Sequence, residues 1–115
     1  MKIDNYQFGK ITIDGKQYTK DLKIFPDKIK DNWWRSRGHL LQEGDLKDVW
    51  EEKPNRLIVG KGARGVMDVD KKVEKKAKEL DIELIVEKSG EACERYNQLS
   101  GEEKNNTVLA IHLTC

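Results

Sequence analysis

One stretch of the sequence has the spacing of a nucleotide-binding loop. Gly60, Gly62 and Gly65 form a G-x-G-x-x-G pattern directly after the apolar residues 57–59. In dinucleotide-binding folds this pattern follows a strand and opens a helix, whose free N–H groups hold the pyrophosphate. An acidic residue about 20 positions on binds the ribose, and Glu87 ends the next apolar run. The pattern therefore raises the question of nucleotide binding.

The residues after the glycines argue against that interpretation. Apolar residues at helical spacing begin only near Val69, so Gly65 cannot pack the helix against the strand. Asp68 and Asp70 lie where the helix should begin, and their carboxylates would cap its N–H groups and repel a pyrophosphate. A P-loop also fails, because Val66 follows the last glycine where that motif requires lysine. The sequence therefore predicts no cofactor.

Two uses of the glycine loop remain open. In the first, the glycines adopt positive φ angles or let neighbouring backbone approach closely. In the second, Lys61, Arg64 and the loop amides form a nest for a carboxylate or phosphate. The loop is expected at the carboxyl end of a strand, where open α/β sheets bind ligands. The second use predicts a small anionic ligand.

Residues 32–39 combine residue types that are common at binding sites. The segment reads N-W-W-R-S-R-G-H, with two tryptophans, two arginines and a histidine. Tryptophan and arginine are enriched at interface hot spots, although one tryptophan could instead enter the core while the arginines face water. If this segment and the glycine loop share a surface, the candidate binding residues are Trp34, Arg35, His39, Gly60, Gly62 and Arg64.

His112 and Cys115 are secondary candidates for chemistry. Either histidine could act as a general base, but without an identified partner a histidine is more often structural. His112-x-x-Cys115 is half of a zinc site, and a closed site would need His39 and Cys93 to converge on it. We therefore predict no metal site.

The apolar pattern indicates the elements that must position these residues. Alternating apolar residues around Asp14-Gly15 predict an antiparallel hairpin over residues 6–25, which Pro26 ends. Residues 27–41 show no clear period and are predicted to be loop with a short extended piece. Beyond them, helices capped by Asp45, by Asp68 and Asp70, and by Ser89 alternate with strands at residues 56–59, 82–86 and 107–111, and Gly101 is predicted to end the third helix.

This order predicts the fold class. Strands that alternate with helices pair in parallel through right-handed crossovers. We predict one α/β domain over residues 1–115, with a mixed β-sheet and an N-terminal antiparallel hairpin followed by α-β-α-β-α-β.

Charge and hydropathy argue against several classes of function. The 22 basic and 21 acidic residues give a net charge of +1, so no overall field favours nucleic acid or an anionic membrane. No apolar run reaches membrane-spanning length, and residues 1–10 lack a signal-peptide core, so a cytoplasmic location is expected. Interspersed lysine and glutamate are typical of thermophilic proteins and also of charged mesophilic helices. A homo-oligomer is compatible with this composition.

Several motifs resemble one family over nearly the whole chain. F-G-K-I-T-I-D-G-K-Q-Y, W-W-R-S-R-G-H, L-I-V-G-K-G, E-R-Y-N-Q-L and H-L-T-C occur in the order seen in the adipogenesis-associated domain proteins. A mitochondrial complex I assembly factor is a more distant relative that lacks the closing H-x-T-C. The resemblance implies a single α/β domain with a mixed sheet and no established reaction. It also implies that V-G-x-G is the essential part of the loop and that Gly65 is incidental.

Two functional hypotheses follow. The first is a non-catalytic binding or assembly module with a protein partner or a small anionic ligand. The second is a small-molecule or nucleotide-binding enzyme that uses the same surface, with His39 or His112 as the acid–base residue. The second requires a histidine that faces a pocket and lies within hydrogen-bonding distance of a carboxylate or arginine.

Overall fold

Ten strands and four α-helices make up the computed structural model, which describes residues 1–115. A 3₁₀ helix (Glu43–Leu46) leads into the first α-helix. In chain order the elements are β1 (Ile3–Gln7), β2 (Lys10–Ile13), β3 (Lys16–Tyr18), β4 (Leu22–Ile24), β5 (Ile29–Lys30), β6 (Leu40–Leu41), α1 (Lys47–Glu52), β7 (Arg56–Lys61), β8 (Asp68–Val69), α2 (Lys71–Glu79), β9 (Glu83–Glu87), α3 (Ser89–Gln98), α4 (Gly101–Lys104) and β10 (Thr107–His112).

A mixed sheet of five strands, in the order β5-β4-β10-β7-β9, forms the centre of the molecule. β7 pairs in parallel with both β10 and β9, whereas β4 pairs antiparallel with β10 and β5. The predicted α/β class with a mixed sheet and an added antiparallel part is therefore confirmed.

Helices cover both faces of this sheet because its central strands carry apolar residues on both faces. Every residue of β10 is buried, as are residues 57–60 of β7. On one face, Val49 of α1 and Val73 of α2 belong to one core cluster; on the other, Tyr96 of α3 and Ile11 of β2 belong to a second. The central strands are thus fixed from both sides, which gives their carboxyl ends a rigid position.

The N-terminal hairpin is confirmed but is part of a larger unit. Asp14 and Gly15 both have positive φ angles, 48° and 81°, and join β2 to β3. A second turn at Phe8 and Gly9 adds β1, so the small sheet has three strands. The predicted second strand is divided, because the chain leaves the small sheet after Tyr18 and β4 joins the central sheet.

The predicted helix caps Asp45 and Asp68 are wrong. Asp45 lies inside the 3₁₀ helix, where its Oδ2 accepts a hydrogen bond of 2.8 Å from the Gln42 amide. Asp68 lies in β8, which pairs in parallel with β6, and only Asp70 caps α2 by accepting from the Lys72 amide at 2.9 Å. Because β8 is extended, α2 begins at Lys71, two residues after its predicted start.

Ser89 and Gly101 also differ from prediction. Ser89 is fully buried, and its hydroxyl accepts from the Gly62 amide, just after β7, and donates to the His112 carbonyl of β10 instead of capping α3. Gly101 begins α4, because Ser100 and Glu103 form a capping box in which each side chain accepts from the other residue's amide. This stronger start signal overrides glycine as a helix end.

No helix in the structure is both long enough and apolar enough to span a bilayer.

Candidate functional site

The two segments singled out in the sequence meet around His112, at the carboxyl end of β10. Arg35 Nη2 lies 3.1 Å from His112 Nδ1. A Cβ atom built on Gly62 would lie 3.1 Å from His112 Cδ2, so the glycine loop borders the same ring. The His39 carbonyl accepts a hydrogen bond of 2.8 Å from the Asp68 amide. The tryptophan-arginine segment and the glycine loop therefore both lie against His112, and His39 bonds to β8, which follows the loop.

Asp21 organises the centre of this site. Its Oδ2 lies 2.9 Å from Arg35 Nη1 and 2.7 Å from His112 Nδ1, and its Oδ1 accepts from the Leu113 amide at 2.7 Å. Since a carboxylate only accepts, His112 Nδ1 carries the proton and donates to Asp21. Arg35 Nη2 then donates to the Gly38 carbonyl, 2.9 Å away. We call Asp21, Arg35 and His112 the buried triad.

The buried triad is electrostatically paired. Burial acts to raise the pKa of Asp21, but the hydrogen bonds from His112 and Leu113 and the charge of Arg35 outweigh it, so the pKa lies below its ordinary value. His112 is only 6% exposed and Arg35 only 8%. The Arg35 guanidinium is therefore used inside this site and is not exposed to a ligand or partner. The prediction that Arg35 is a binding residue gains no support from its position.

The glycine loop packs against the chain's own residues 114–115. A Cβ on Gly62, whose φ is +102°, would lie 2.1 Å from the carbonyl carbon of Cys115. A Cβ on Gly60 would lie 2.9 Å from both Ile111 Cγ1 and Ser89 Oγ. The first predicted use of the loop, close approach of neighbouring backbone, is confirmed. Gly65 is not incidental, since its φ of +72° favours glycine.

Most loop amides already have acceptors within the protein. The Gly62 amide donates to Ser89 Oγ at 2.9 Å, and the Ala63 and Val66 amides donate to the carbonyls of Thr114 and Cys115 at 2.6 and 3.0 Å. An anion at this loop would therefore depend on the side chains of Lys61 and Arg64, the second of which is exposed. The anion nest stays a prediction.

The two tryptophans have different environments. Trp33 lies partly buried between two cations, with Lys23 Nζ 5.0 Å and Arg35 Cζ 4.8 Å from its ring centroid. Trp34 is 80% exposed. The expectation that one tryptophan enters the core holds in part, and Trp34 is the one free for a ligand or partner.

Each histidine has one of the two properties that an acid–base residue needs, which are an open pocket and a carboxylate partner. His39 is exposed in an open groove of about 550 Å³, which Ser36, Arg37, Gly38, Leu40 and Asp68 also line. His112 has the carboxylate partner, but it is buried, with its ring centroid 6.1 Å from that of His39. Neither histidine combines an open pocket with a hydrogen bond to a carboxylate.

The cysteines are both free thiols. Burial, with a smaller effect of Glu94, raises the pKa of Cys93 to about 12, so this thiol is unreactive. Cys115 is half-buried beside the glycine loop. No three His, Cys, Asp or Glu side chains are arranged to hold a metal ion.

Sequence reasoning missed two exposed apolar residues near this site. Phe8 is 60% and Val66 is 44% exposed, and with Trp34 they are the large hydrophobic residues on the outside of the molecule. Gly9, next to Phe8, donates to the Leu113 carbonyl at 2.8 Å, and the Val66 amide bonds to Cys115. We call the exposed residues on the chain segments that contact residues 112–115 the carboxyl-end surface: Phe8, Trp34, His39, Arg64 and Val66. The Trp34 side chain itself lines a groove with Asp48 and Glu51 of α1.

The fold and this site define a small α/β protein whose central sheet ends in a buried histidine that is hydrogen-bonded to an aspartate. Its sequence matches the profile of one family over residues 3–112. The chain belongs to that family, which is described as a protein of unknown function (DUF498/DUF598). The narrower resemblance to adipogenesis-associated domain proteins and to the assembly factor stays a prediction.

Solved structures share the fold over nearly the whole chain. The chain is similar to the conserved hypothetical protein PH1505 of Pyrococcus horikoshii OT3, with 28% identity, a TM-score of 0.83 and full coverage of both chains, 100% and 100%. Xanthomonas campestris XCC1710 is 18% identical with a TM-score of 0.82, over 96% of this chain and 83% of that one. A Bartonella henselae protein described as an outer membrane protein is 19% identical, with a TM-score of 0.77 over 96% and 94% of the two chains.

Proposed function

We propose that this chain is a non-catalytic binding or assembly module that receives a protein partner on the carboxyl-end surface. The observation that carries the proposal is the contrast between buried polar and exposed apolar groups at one end of the sheet. The side chains suited to chemistry are paired inside, in the buried triad, while Phe8, Trp34 and Val66 face outward. Exposed aromatic residues beside arginine are typical of binding hot spots.

The segments that carry these residues each contact residues 112–115 or a neighbour of theirs. Val66 bonds directly to Cys115, and Phe8 is one residue from a bond to Leu113. Trp34 precedes Arg35, which lies against His112. Arg64 and His39 add positive or titratable groups at the same end, which suits a partner with carboxylates at the rim of its apolar patch.

Affinity capture from the native cells with quantitative mass spectrometry tests the proposal. Trp34→Ala and Val66→Ser should each reduce a specific partner about tenfold, because hot-spot truncations cost about 1–2 kcal/mol or more. Glu102→Ala, an exposed change in α4 ahead of β10, is the matched control and should retain the partner. Equal recovery with all three variants would refute the proposal. Arg35→Ala is unsuitable, since it removes a buried charge and tests stability.

A second candidate function is a small-molecule enzyme, and the Asp21–His112 pair is the observation that favours it. A carboxylate on Nδ1 leaves Nε2 as the acceptor that a general base requires. A thermal-shift panel with NAD and ATP separates the two functions. A saturable shift that Arg64→Ala abolishes would favour the enzyme, and no shift at millimolar nucleotide would favour the binding module.

A further inference from the structure

β9 forms an open edge of the central sheet. It pairs only with β7, and the opposite edge is the two-residue β5. The apolar residues of β9, Leu84, Ile85 and Val86, are each half-buried, whereas residues 57–59 of its neighbour β7 are fully buried. A five-residue edge strand with three central apolar residues and no proline is a template for another strand.

The backbone of β9 has two outward-facing residues. The Glu83 amide donates to the Asn55 carbonyl at 2.9 Å, so Glu83 faces β7. Since backbone groups alternate along a strand, Ile85 and Glu87 also face β7, and the N–H and C=O groups of Leu84 and Val86 point to the open side. These four groups match the bonds that an added strand makes with an edge.

A groove beside this edge supplies a place for side chains. It has a volume of about 640 Å³ and lies between α2 and β9. Its apolar part consists of Ala77, Ile82 and Leu84. Its rim is mainly basic, since Lys71, Lys75 and Lys78 lie at positions i, i+4 and i+7 of α2 and Glu74 is the one acid.

We propose that β9 binds an extended segment of a partner protein as an added strand, separately from the carboxyl-end surface. On the α2 face the segment places apolar side chains over Ala77 and Leu84 and carboxylates against the three lysines. On the α3 face, Glu87, Glu91 and Glu94 flank a second groove and disfavour carboxylates. The side chains of the partner segment therefore alternate between the two faces, and its acidic residues lie on the α2 face only.

A second copy of this chain is a poorer occupant. Antiparallel pairing of two β9 strands must join their outward residues, so Leu84 faces Val86 of the copy and Ile85 faces Ile85. Glu83 then lies opposite Glu87 at both ends of the pair. Like charges directly opposite each other destabilise a sheet, so this full register is disfavoured.

A phage-displayed library of random seven-residue peptides is a direct probe. Selection on the immobilised protein should enrich peptides whose apolar and acidic residues share every second position, i, i+2 and i+4, with no acids at the positions between them. Synthetic forms of these peptides should bind in a fluorescence assay. Val86→Pro should abolish binding, because it removes an outward N–H that has no partner in the sheet. Lys75→Glu combined with Lys78→Glu should weaken binding about tenfold, and Lys72→Glu, outside the groove, should leave it unchanged.

Three results would overturn the proposal. The first is that no peptide is enriched over the bare support. The second is that the enriched peptides bind Val86→Pro and the double lysine variant as tightly as the parent. The third is a concentration-dependent dimer that Val86→Pro abolishes. If Val86→Pro does not fold, the double variant decides, since both lysines are exposed and their substitution leaves the core intact.

Discussion

Gly62 is the residue at which the backbone leaves no room for a side chain. Its φ of +102° is strained for other residues, and a Cβ would lie 2.1 Å from the carbonyl carbon of Cys115. Gly62→Ala should therefore lower the free energy of unfolding by about 3 kcal/mol. Urea denaturation measures the loss. Gly101→Ala, at an open helical position with nothing within 4 Å, is the control and should be neutral or slightly stabilising.

Asp21 should make the free energy of unfolding depend on pH in the acid range. Its pKa in the folded state lies below its ordinary value of 3.8, so its contribution is present above that value and is lost as the pH falls through the lower, folded-state pKa. Asp21→Asn should remove that part of the pH dependence, up to about 1.4 kcal/mol per pH unit, from unfolding free energies measured between about pH 2 and 5.

The same variant should be less stable at neutral pH, by about 3 kcal/mol, because the charge of Arg35 then stays buried without a carboxylate. Asp48 also has a lowered pKa despite its burial, through bonds from Lys23 and Lys30, so the Asp21→Asn variant retains some acid sensitivity. An unchanged slope in Asp21→Asn would show that the buried triad does not set the acid limit.

The residue scale also shows why the sequence predicted only part of the site. Asp21 and His112 are 91 positions apart, and Asp21 stands in no motif that distinguishes it from the other aspartates. Arg35 belongs to a segment that is typical of binding sites, yet its charge is used internally. The sequence specified which residue types were available, whereas the antiparallel pairing of β4 with β10 determined which of them came into contact.

At the scale of elements, Asp68 and Asp70 have different roles just before the start of α2. Asp70 accepts from the Lys72 amide, while Asp68 belongs to β8. Asp70→Ala should therefore cost about 1 kcal/mol, the usual effect of losing an N-cap. Asp68→Ala should change the unfolding free energy by less than about 0.5 kcal/mol. Thermal unfolding of the two variants side by side measures the difference, and equal losses would contradict the cap assignment.

Periodicity predicted the elements that pack on their own apolar residues. β7, α2, β9, α3 and β10 all lie within two or three residues of their predicted positions, because their apolar spacing is dictated by burial. β5 and β6 are two residues each, which is too short to show a period, and β6 pairs with the distant β8, so residues 27–41 carried no local signal. Phe8 was grouped with the strand alternation, whereas it lies in a turn and faces outward.

At the scale of the whole molecule, the chain presents two separate surfaces on one rigid sheet. One is the carboxyl-end surface around residues 112–115, and the other is the open edge of β9 beside α2. Small α/β domains that carry no exposed acid–base pair but present apolar residues outward are suited to holding other chains together. A protein with two such surfaces could bridge two partners, which is what an assembly role requires.

Site-specific photocrosslinking in the native cells tests the central claim most directly. A photoreactive phenylalanine analogue placed at Trp34, Phe8 or Val66 should give the same discrete crosslinked protein from all three positions, and the analogue placed at Glu102 should not. The account predicts that this product persists in His112→Gln, provided that variant is folded. Crosslinking at Glu102 equal to that at Trp34, or no product from any position, would contradict it.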